Sequence, residues 1–157
     1  MITHETHAEF LSNYIAEHIP LSRAMGFEVR AVSETGIELF VPLAPNINHR
    51  DSAFGGSISA AGIMAGWGLL HHNCRMRGFR PTLVVQESTT RYLKPILEDF
   101  LVTVKPIEPA AWQKFFRTLE ARRKARLRVT SVIQSAGVTL AEQDGTFVAM
   151  LREPSPS

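Results

Sequence analysis

Cysteine is almost absent from this chain of 157 residues. Cys74 is the only one, so no disulfide can form within the chain, and we expect a protein that folds in a reducing compartment. The first fifteen residues also lack the basic start and the apolar stretch of a secretory signal peptide. Together these absences predict a cytoplasmic location.

Long apolar runs are scarce as well. The longest apolar run lies within the uncharged residues 57–73 and is too short and too rich in glycine to cross a bilayer, so we expect no membrane partner. Apolar residues still make up 45% of the chain, which indicates a globular protein with a core of its own. We predict a single domain over residues 1–152 and a disordered tail over residues 153–157.

The net charge is only +2 at pH 7, but the charged residues are unevenly distributed. Residues 117–128 contain six basic residues and one acidic residue. Such a run is commonly a solvated corner between a helix and a strand. A nucleic-acid surface would need aromatic residues for base stacking or a helix that reads a groove, and neither is evident. We therefore expect no nucleic-acid partner.

The most informative segment is residues 46–78. It begins as a polar loop, tightens at Phe54-Gly55-Gly56, and continues as an uncharged run in which apolar and small residues cover every face. This pattern predicts a helix that is buried all round. Three internal glycines each cost about 1 kcal/mol of helix propensity relative to alanine. They indicate a helix that must be thin because a sheet approaches it closely.

The Gly-Gly pair stands where this helix begins. Backbone N–H groups are free in the first turn of a helix, and the helix dipole makes that end positive. The unshielded N–H groups of Gly55 and Gly56 can bind an anion, or a carbonyl oxygen that becomes one during a reaction. A simpler interpretation is that glycine permits the tight turn into the helix.

The rest of the chain is predicted to form consecutive strands joined by links as short as those of hairpins. Such links favour an antiparallel sheet. That sheet must wrap the one buried helix, which gives an α+β fold. A turn is predicted at Asp144-Gly145, between the last two strands. The predicted helices cover residues 5–18 and 109–120, with a further turn at 21–26, and the predicted strands cover residues 28–33, 36–43, 82–93, 100–106, 125–134, 138–143 and 145–151.

Several motifs occur in a fixed order along the chain. Asn48, a six-residue spacer and Gly55-Gly56 resemble the asparagine-loop-glycine signature of hotdog acyl thioesterases. The whole set is most similar to the YiiD C-terminal thioesterase-like family. The matching motifs are PLxxAMG at residues 20–26, an imperfect APLxPNxN at 41–48, FGGS at 54–57, AGWGLL at 65–70 and RYLxP at 91–95.

The resemblance implies a hotdog fold, in which an antiparallel sheet wraps around a long central helix. It implies hydrolysis of acyl thioesters of coenzyme A or acyl carrier protein, at sites between the subunits of a homodimer or homotetramer. It implies no metal or redox cofactor, and coenzyme A enters only as part of the substrate. Two alternatives stay open: a hotdog dehydratase or hydratase, which would need His49, and a non-catalytic acyl-CoA-binding module.

The chain departs from the family pattern where a catalytic acid often stands. Many hotdog thioesterases carry an Asp or Glu eight residues after the first glycine, and that position is Ile63 here. We expect Glu87, in the middle of a predicted strand, to face a partner's helix start and to activate water as a general base. Asp51 and His49 in the loop are the alternative bases. The alternative for Glu87 is an exposed strand residue or an ion pair with Arg91.

The remaining candidates surround the glycines or lie in the basic run. Asn48 is expected to orient water or the thioester carbonyl, or else to shape the loop through an Asx-turn. His49, which titrates near neutral pH, is expected with Phe54 and Ser57 to contact the substrate. The residues expected to bind the phosphates of coenzyme A are Arg122, Arg123 and Lys124.

Overall fold

Six strands and four helices make up the computed structural model, which describes residues 4–153. Residues 154–157 of the predicted tail lie outside that part of the chain. The strands are β1 (Glu28–Val32), β2 (Ile37–Val41), β3 (Thr82–Tyr92), β4 (Phe100–Val104), β5 (Lys124–Ser135) and β6 (Val138–Met150). The helices are α1 (His7–His18), α2 (Pro20–Met25), α3 (Gly55–Met76) and α4 (Pro109–Arg122), with a short 3-10 turn at Ala44–Asn46.

The strands form one antiparallel sheet in the order β1-β2-β4-β5-β6-β3. The predicted α+β layout is therefore confirmed. With one exception, the predicted elements are present and their ends shift by one or two residues, the usual uncertainty of element boundaries.

α3 runs through the centre of the fold, where it packs against β2, β3, β4, β5 and β6. Its glycines allow this close approach. A Cβ on Gly66 would lie 2.8 Å from the ring of Phe147, and a Cβ on Gly62 would lie 2.8 Å from the side-chain amide of Gln143. The sheet can close around α3 because the helix is thin at these positions. Within residues 4–153, no helix is long and apolar enough to cross a membrane.

The two edges of the sheet differ in how they are covered. α1 packs on β1, and the hydroxyl of Ser12 accepts a hydrogen bond from the N–H of Val29 at 3.1 Å. At the other edge, β3 pairs with β6, and its second side has no partner strand within residues 4–153. Val84 and Val85 on β3 are 42% and 37% exposed. An unpaired strand of this kind is a surface on which another strand can add.

The prediction of a turn at Asp144-Gly145 is wrong, because β6 is one continuous strand. Asp144 lies opposite Thr130 on β5 and accepts a hydrogen bond from its hydroxyl at 2.7 Å. A Cβ on Gly145 would come within 2.9 Å of the ring of Phe147. The glycine therefore makes room for a core ring in a strand that is paired on both sides, and it does not open a turn.

Candidate active site

The start of α3 presents free backbone N–H groups. Gly55 is the first residue of the helix, and Phe54 precedes it with an extended backbone and no side-chain cap. The N–H groups of Gly55 and Gly56 have no hydrogen-bond acceptor among residues 4–153. The positive end of a 22-residue helix is therefore open to an anion or to a polarised carbonyl oxygen.

Tyr92 ties this helix start to the end of β3. Its hydroxyl donates a hydrogen bond of 2.8 Å to the carbonyl oxygen of Gly55. The side chain lines a shallow cavity of about 360 Å³ that also includes Ser52 and Leu93. The RYLxP motif contains this tyrosine, but the motif alone gave no reason to connect its hydroxyl with the glycines.

Asn48 shapes the loop that leads into the helix. Its carboxamide oxygen accepts hydrogen bonds from the N–H groups of Arg50 at 2.8 Å and Ser52 at 3.2 Å. Its nitrogen donates to the hydroxyl of Ser52 at 3.0 Å. This geometry is that of the loop-shaping alternative. A role of Asn48 on water or on the thioester carbonyl stays a prediction.

Asp51 and His49 are both exposed on the same loop. Asp51 has a left-handed backbone with φ 58°, a conformation that aspartate tolerates better than most residues. Its N–H donates to the carbonyl of Asn48 at 3.2 Å. The turn thus holds the Asp51 carboxylate at the surface, four residues before Gly55.

Phe54 and Ser57 flank the two glycines, and Phe54 is exposed whereas Ser57 is buried. A ring carbon of Phe54 lies 2.5 Å from the point where a Cβ on Gly56 would stand, although 57% of the residue is exposed. Because Gly56 has no Cβ, the Phe54 ring can lie beside the free N–H groups. Ser57 is buried in the first turn of α3. Contact of Phe54 or Ser57 with a substrate stays a prediction.

Glu87 lies on the face of the sheet that points away from α3. A β-bulge at Gln86 precedes it, and it pairs with Thr146 of β6. The neighbour of Thr146 along β6, Phe147, points inwards to α3, so Thr146 and Glu87 point outwards. Within the chain, Glu87 does not meet the start of α3. Its role as a general base stays a prediction.

Arg91 also points outwards and forms ion pairs with two carboxylates of β6. Its guanidinium lies 2.8 Å from Asp144 and 3.3 Å from Glu142. Hydrogen bonds from Lys105 and Arg91 lower the pKa of Glu142, and hydrogen bonds from Thr130 and Arg91 lower the pKa of Asp144. The ion pair considered for Arg91 is thus made with β6 and not with Glu87.

The basic run forms one wall of a groove between α4 and the first half of β5. This basic groove has a volume of about 700 Å³. Its basic lining residues are Lys114, Arg122, Lys124, Arg126 and Arg128. Arg123 is not among them, because its backbone is left-handed at φ 62° and its guanidinium donates to the carbonyl of Arg152. The structure therefore brings two of the three predicted phosphate-binding residues together.

A partly buried polar cluster joins α3 to the inner face of the sheet. The side-chain nitrogen of Gln143 donates to the carbonyl of Ser59 at 2.7 Å and to the hydroxyl of Thr90 at 2.9 Å. The Thr90 hydroxyl in turn donates to that of Ser59 at 3.2 Å. The cluster fixes the first turns of α3 against β3 and β6. The sequence gives no sign of it until the inward-facing side of each strand is known.

A family profile described as "putative thioesterase (yiiD_Cterm)" matches residues 8–151. The chain belongs to this thioesterase family. The family predicted from the ordered motifs is thereby confirmed.

Solved structures of similar proteins have the same fold. A Chlorobaculum tepidum protein of unknown function is 24% identical with a TM-score of 0.86, covering 92% of this chain and 94% of that one. A Shewanella oneidensis protein described as a putative thioesterase is 24% identical with a TM-score of 0.79, covering 92% and 97%. A Pseudomonas aeruginosa protein described as a probable thioesterase is 19% identical with a TM-score of 0.79, covering 92% and 95%. The predicted hotdog fold is confirmed.

Proposed function

We propose that this member of the thioesterase family hydrolyses acyl thioesters of coenzyme A or acyl carrier protein at the start of α3. The observation that carries the proposal is the pair of free N–H groups on Gly55 and Gly56. Water attacks the thioester carbonyl carbon, the oxygen becomes an anion, and the two N–H groups stabilise it. The carbon–sulfur bond then breaks, and the thiol leaves with a proton. One such donor is typically worth about 10²–10³ in kcat.

A carboxylate is proposed to take the proton from the attacking water. Asp51 lies on the loop that leads into α3, whereas Glu87 points away from the helix in its own chain. This geometry favours Asp51 over Glu87. Asn48 contributes by holding the Asp51 turn, through its hydrogen bonds to Arg50 and Ser52.

A second copy of the chain is proposed to pair with β3. Two β3 strands related by a two-fold axis would run antiparallel and continue the sheet from one subunit into the other. This pairing would satisfy the open side of β3 and cover Val84 and Val85. It would also bring the end of one β3, with Tyr92 and the helix start, beside the beginning of the other.

The position of the basic groove supports a site shared between two copies. The groove lies along the first half of β5, which aligns through β6 with the beginning of β3, at Thr82. The start of α3 lies at Tyr92, ten residues and about 33 Å further along the strand. In an antiparallel β3 pair, the groove of one copy would approach the helix start of the other. The phosphates of coenzyme A could then bind Arg122, Lys124 and their neighbours in the groove.

Thiol release from a panel of acyl-CoA esters tests the proposal directly. Purified protein is mixed with esters of increasing chain length and a thiol-detecting reagent, and Gly56→Val serves as a variant that crowds the free N–H groups. Release by the wild type and its loss in the variant would support hydrolysis at this helix start. Hydration of an enoyl ester without thiol release, or binding without turnover, would refute hydrolysis in favour of the hydratase or the binding module.

A further inference from the structure

The tyrosine that ends β3 contacts the peptide unit that carries one of the free N–H groups. The peptide between Gly55 and Gly56 consists of the carbonyl of Gly55 and the N–H of Gly56. The hydroxyl of Tyr92 donates a hydrogen bond of 2.8 Å to that carbonyl. A carbonyl oxygen has two lone pairs, so it can accept this bond and also its bond within the first turn of α3. Tyr92 therefore acts on the amide whose N–H has no acceptor within residues 4–153.

Backbone hydrogen bonds fix the end of β3 relative to the loop before α3. The N–H of Ala53 donates to the carbonyl of Ile96 at 2.8 Å. On the other side, the N–H groups of Leu93 and Lys94 both donate to the carbonyl of Leu140, at 2.9 and 3.1 Å. The segment that follows the tyrosine is thus held from two directions. Its hydroxyl consequently has a defined position relative to the helix start.

The ring of Tyr92 lies over the helix start although the residue is 54% exposed. Its outer carbons and its hydroxyl lie 3.5 Å from the point where a Cβ on Gly55 would stand, which is ordinary van der Waals contact. Water can reach more than half of this residue. A hydrogen bond that water can replace contributes little to stability, so stability alone does not explain a hydroxyl at this place.

A hydrogen bond to a carbonyl oxygen polarises the whole amide group. Electron density moves from the nitrogen towards the oxygen, and the N–H of the same peptide becomes a stronger donor, by about 10–30% per bond. We propose that Tyr92 is a positioning residue for the proposed thioester hydrolysis. Its hydroxyl orients and polarises the peptide between Gly55 and Gly56, so that the Gly56 N–H stabilises the oxyanion more strongly. The catalytic part of this inference rests on the proposed function.

Tyr92→Phe tests the catalytic part, because it removes the hydroxyl and keeps the ring. One oxyanion donor is worth about 10²–10³ in kcat, and strengthening that donor by about 10–30% corresponds to a factor of about two to eight. We expect kcat for thiol release to fall about two- to eightfold. KM should be unchanged, because the oxyanion forms only after water has attacked.

Tyr14→Phe is the matched control, since Tyr14 is the other tyrosine of the chain. It lies on α1, and its ring contacts that of His71, which is about 24 Å further along α3 than Gly55. This variant loses the same hydroxyl group at a place that does not touch the helix start. It should keep the kcat and KM of the wild type.

Nuclear magnetic resonance tests the polarisation without catalysis. Loss of a hydrogen bond to the Gly55 carbonyl should move its carbon signal and the nitrogen signal of Gly56 upfield in Tyr92→Phe. The same signals of Gly66, further along α3, should not move. These shifts are measured on the free protein, and circular dichroism checks that the variant has the native fold.

The two measurements fail in different ways. If the wild type hydrolyses no thioester, the proposed function fails, and the shifts still decide whether Tyr92 polarises the peptide. Unmoved Gly55 and Gly56 signals in a folded Tyr92→Phe would overturn the proposal. So would an active wild type whose Tyr92→Phe variant keeps its kcat, or loses activity through KM alone.

Discussion

The proposed hydrolysis depends on which carboxylate can reach the start of α3. Ile63 fills the helix position that often holds the acid in hotdog thioesterases, so the proposed base is sought on a loop or a strand. Asp51 lies four residues before Gly55, on a turn that the side chain of Asn48 stabilises through hydrogen bonds. Glu87 points to the opposite face of the sheet. Within one chain, the loop is therefore the preferred place for the proposed base.

Asp51→Asn should lower kcat about 10²–10⁴-fold, because it removes the base and keeps the shape of the side chain. Glu87→Gln should stay close to the wild type. Both are measured by thiol release at saturating substrate, with circular dichroism to check the fold. If kcat falls strongly in Glu87→Gln and is unchanged in Asp51→Asn, the base is Glu87 on β3, acting on the helix start of another subunit.

His71 should make the stability of the protein fall as the pH falls. The unfolded chain takes up a proton near pH 6.5, whereas burial holds the pKa of folded His71 at about 4. Between these values the unfolded state binds more protons, so acidification favours unfolding. His71→Phe should lose less Tm than the wild type between pH 7 and pH 4.5. Parallel pH curves for the two proteins would show that His71 does not titrate differently on folding.

The periodic pattern of the sequence predicted nearly every helix and strand, but it did not predict which face of the sheet each side chain points to. Simple alternation from Val85 onward puts Glu87 on the same face as Val85. The bulge at Gln86 shifts the register, so Val85 pairs with Phe147 on the inner face and Glu87 turns outwards. A one-residue shift exchanges the two faces of a strand. The sequence carries no visible sign of that bulge.

The helix start was predictable because it rests on local rules of glycine and helix ends. The hydrogen bond from Tyr92 to Gly55 and the cluster of Gln143 with Ser59 and Thr90 were not predictable. Both depend on contacts between segments that are far apart in the chain. The prediction of a turn at Asp144-Gly145 was wrong for the same reason, because the pairing of β6 with β3 and β5 overrides a local turn preference.

Gly66→Ala should destabilise the protein although alanine is the better helix former. The added Cβ would lie 2.8 Å from the buried ring of Phe147. Overpacking costs about 1–3 kcal/mol, against a gain of about 1 kcal/mol in helix propensity. Urea unfolding should show a net loss of up to about 2 kcal/mol. Gly36→Ala, where no atom lies within 4 Å of the added Cβ, is the control and should stay within about 0.5 kcal/mol. An equally stable Gly66→Ala would mean that α3 need not be thin.

In the whole molecule, the proposed shared site requires two copies of the chain. The helix start and the basic groove lie at opposite ends of β3, and the open side of this strand is where an antiparallel partner would bring them together. Activity and assembly should therefore be lost together when that edge is disturbed.

Val84→Lys should convert the protein to monomers and remove thiol release, because it places a charge on the open edge of β3, on the face that points away from α3. Val138→Lys is the matched control: Val138 is 45% exposed, similar to Val84 at 42%, but lies on the β5–β6 hairpin. Light scattering at micromolar concentration gives the assembly state. A monomeric wild type with full activity would remove the shared-site model.

Mixing two single-defect proteins tests the shared site most directly. Gly56→Val damages the helix start, and the double variant Arg126→Gln/Arg128→Gln damages the basic groove, so each alone should release little thiol at low substrate concentration. Unfolded together and refolded, the two should form mixed dimers in which one site receives an intact helix start and an intact groove. The mixture should then recover about one quarter of the wild-type rate. A mixture no more active than the average of its two components would contradict a site built from two chains.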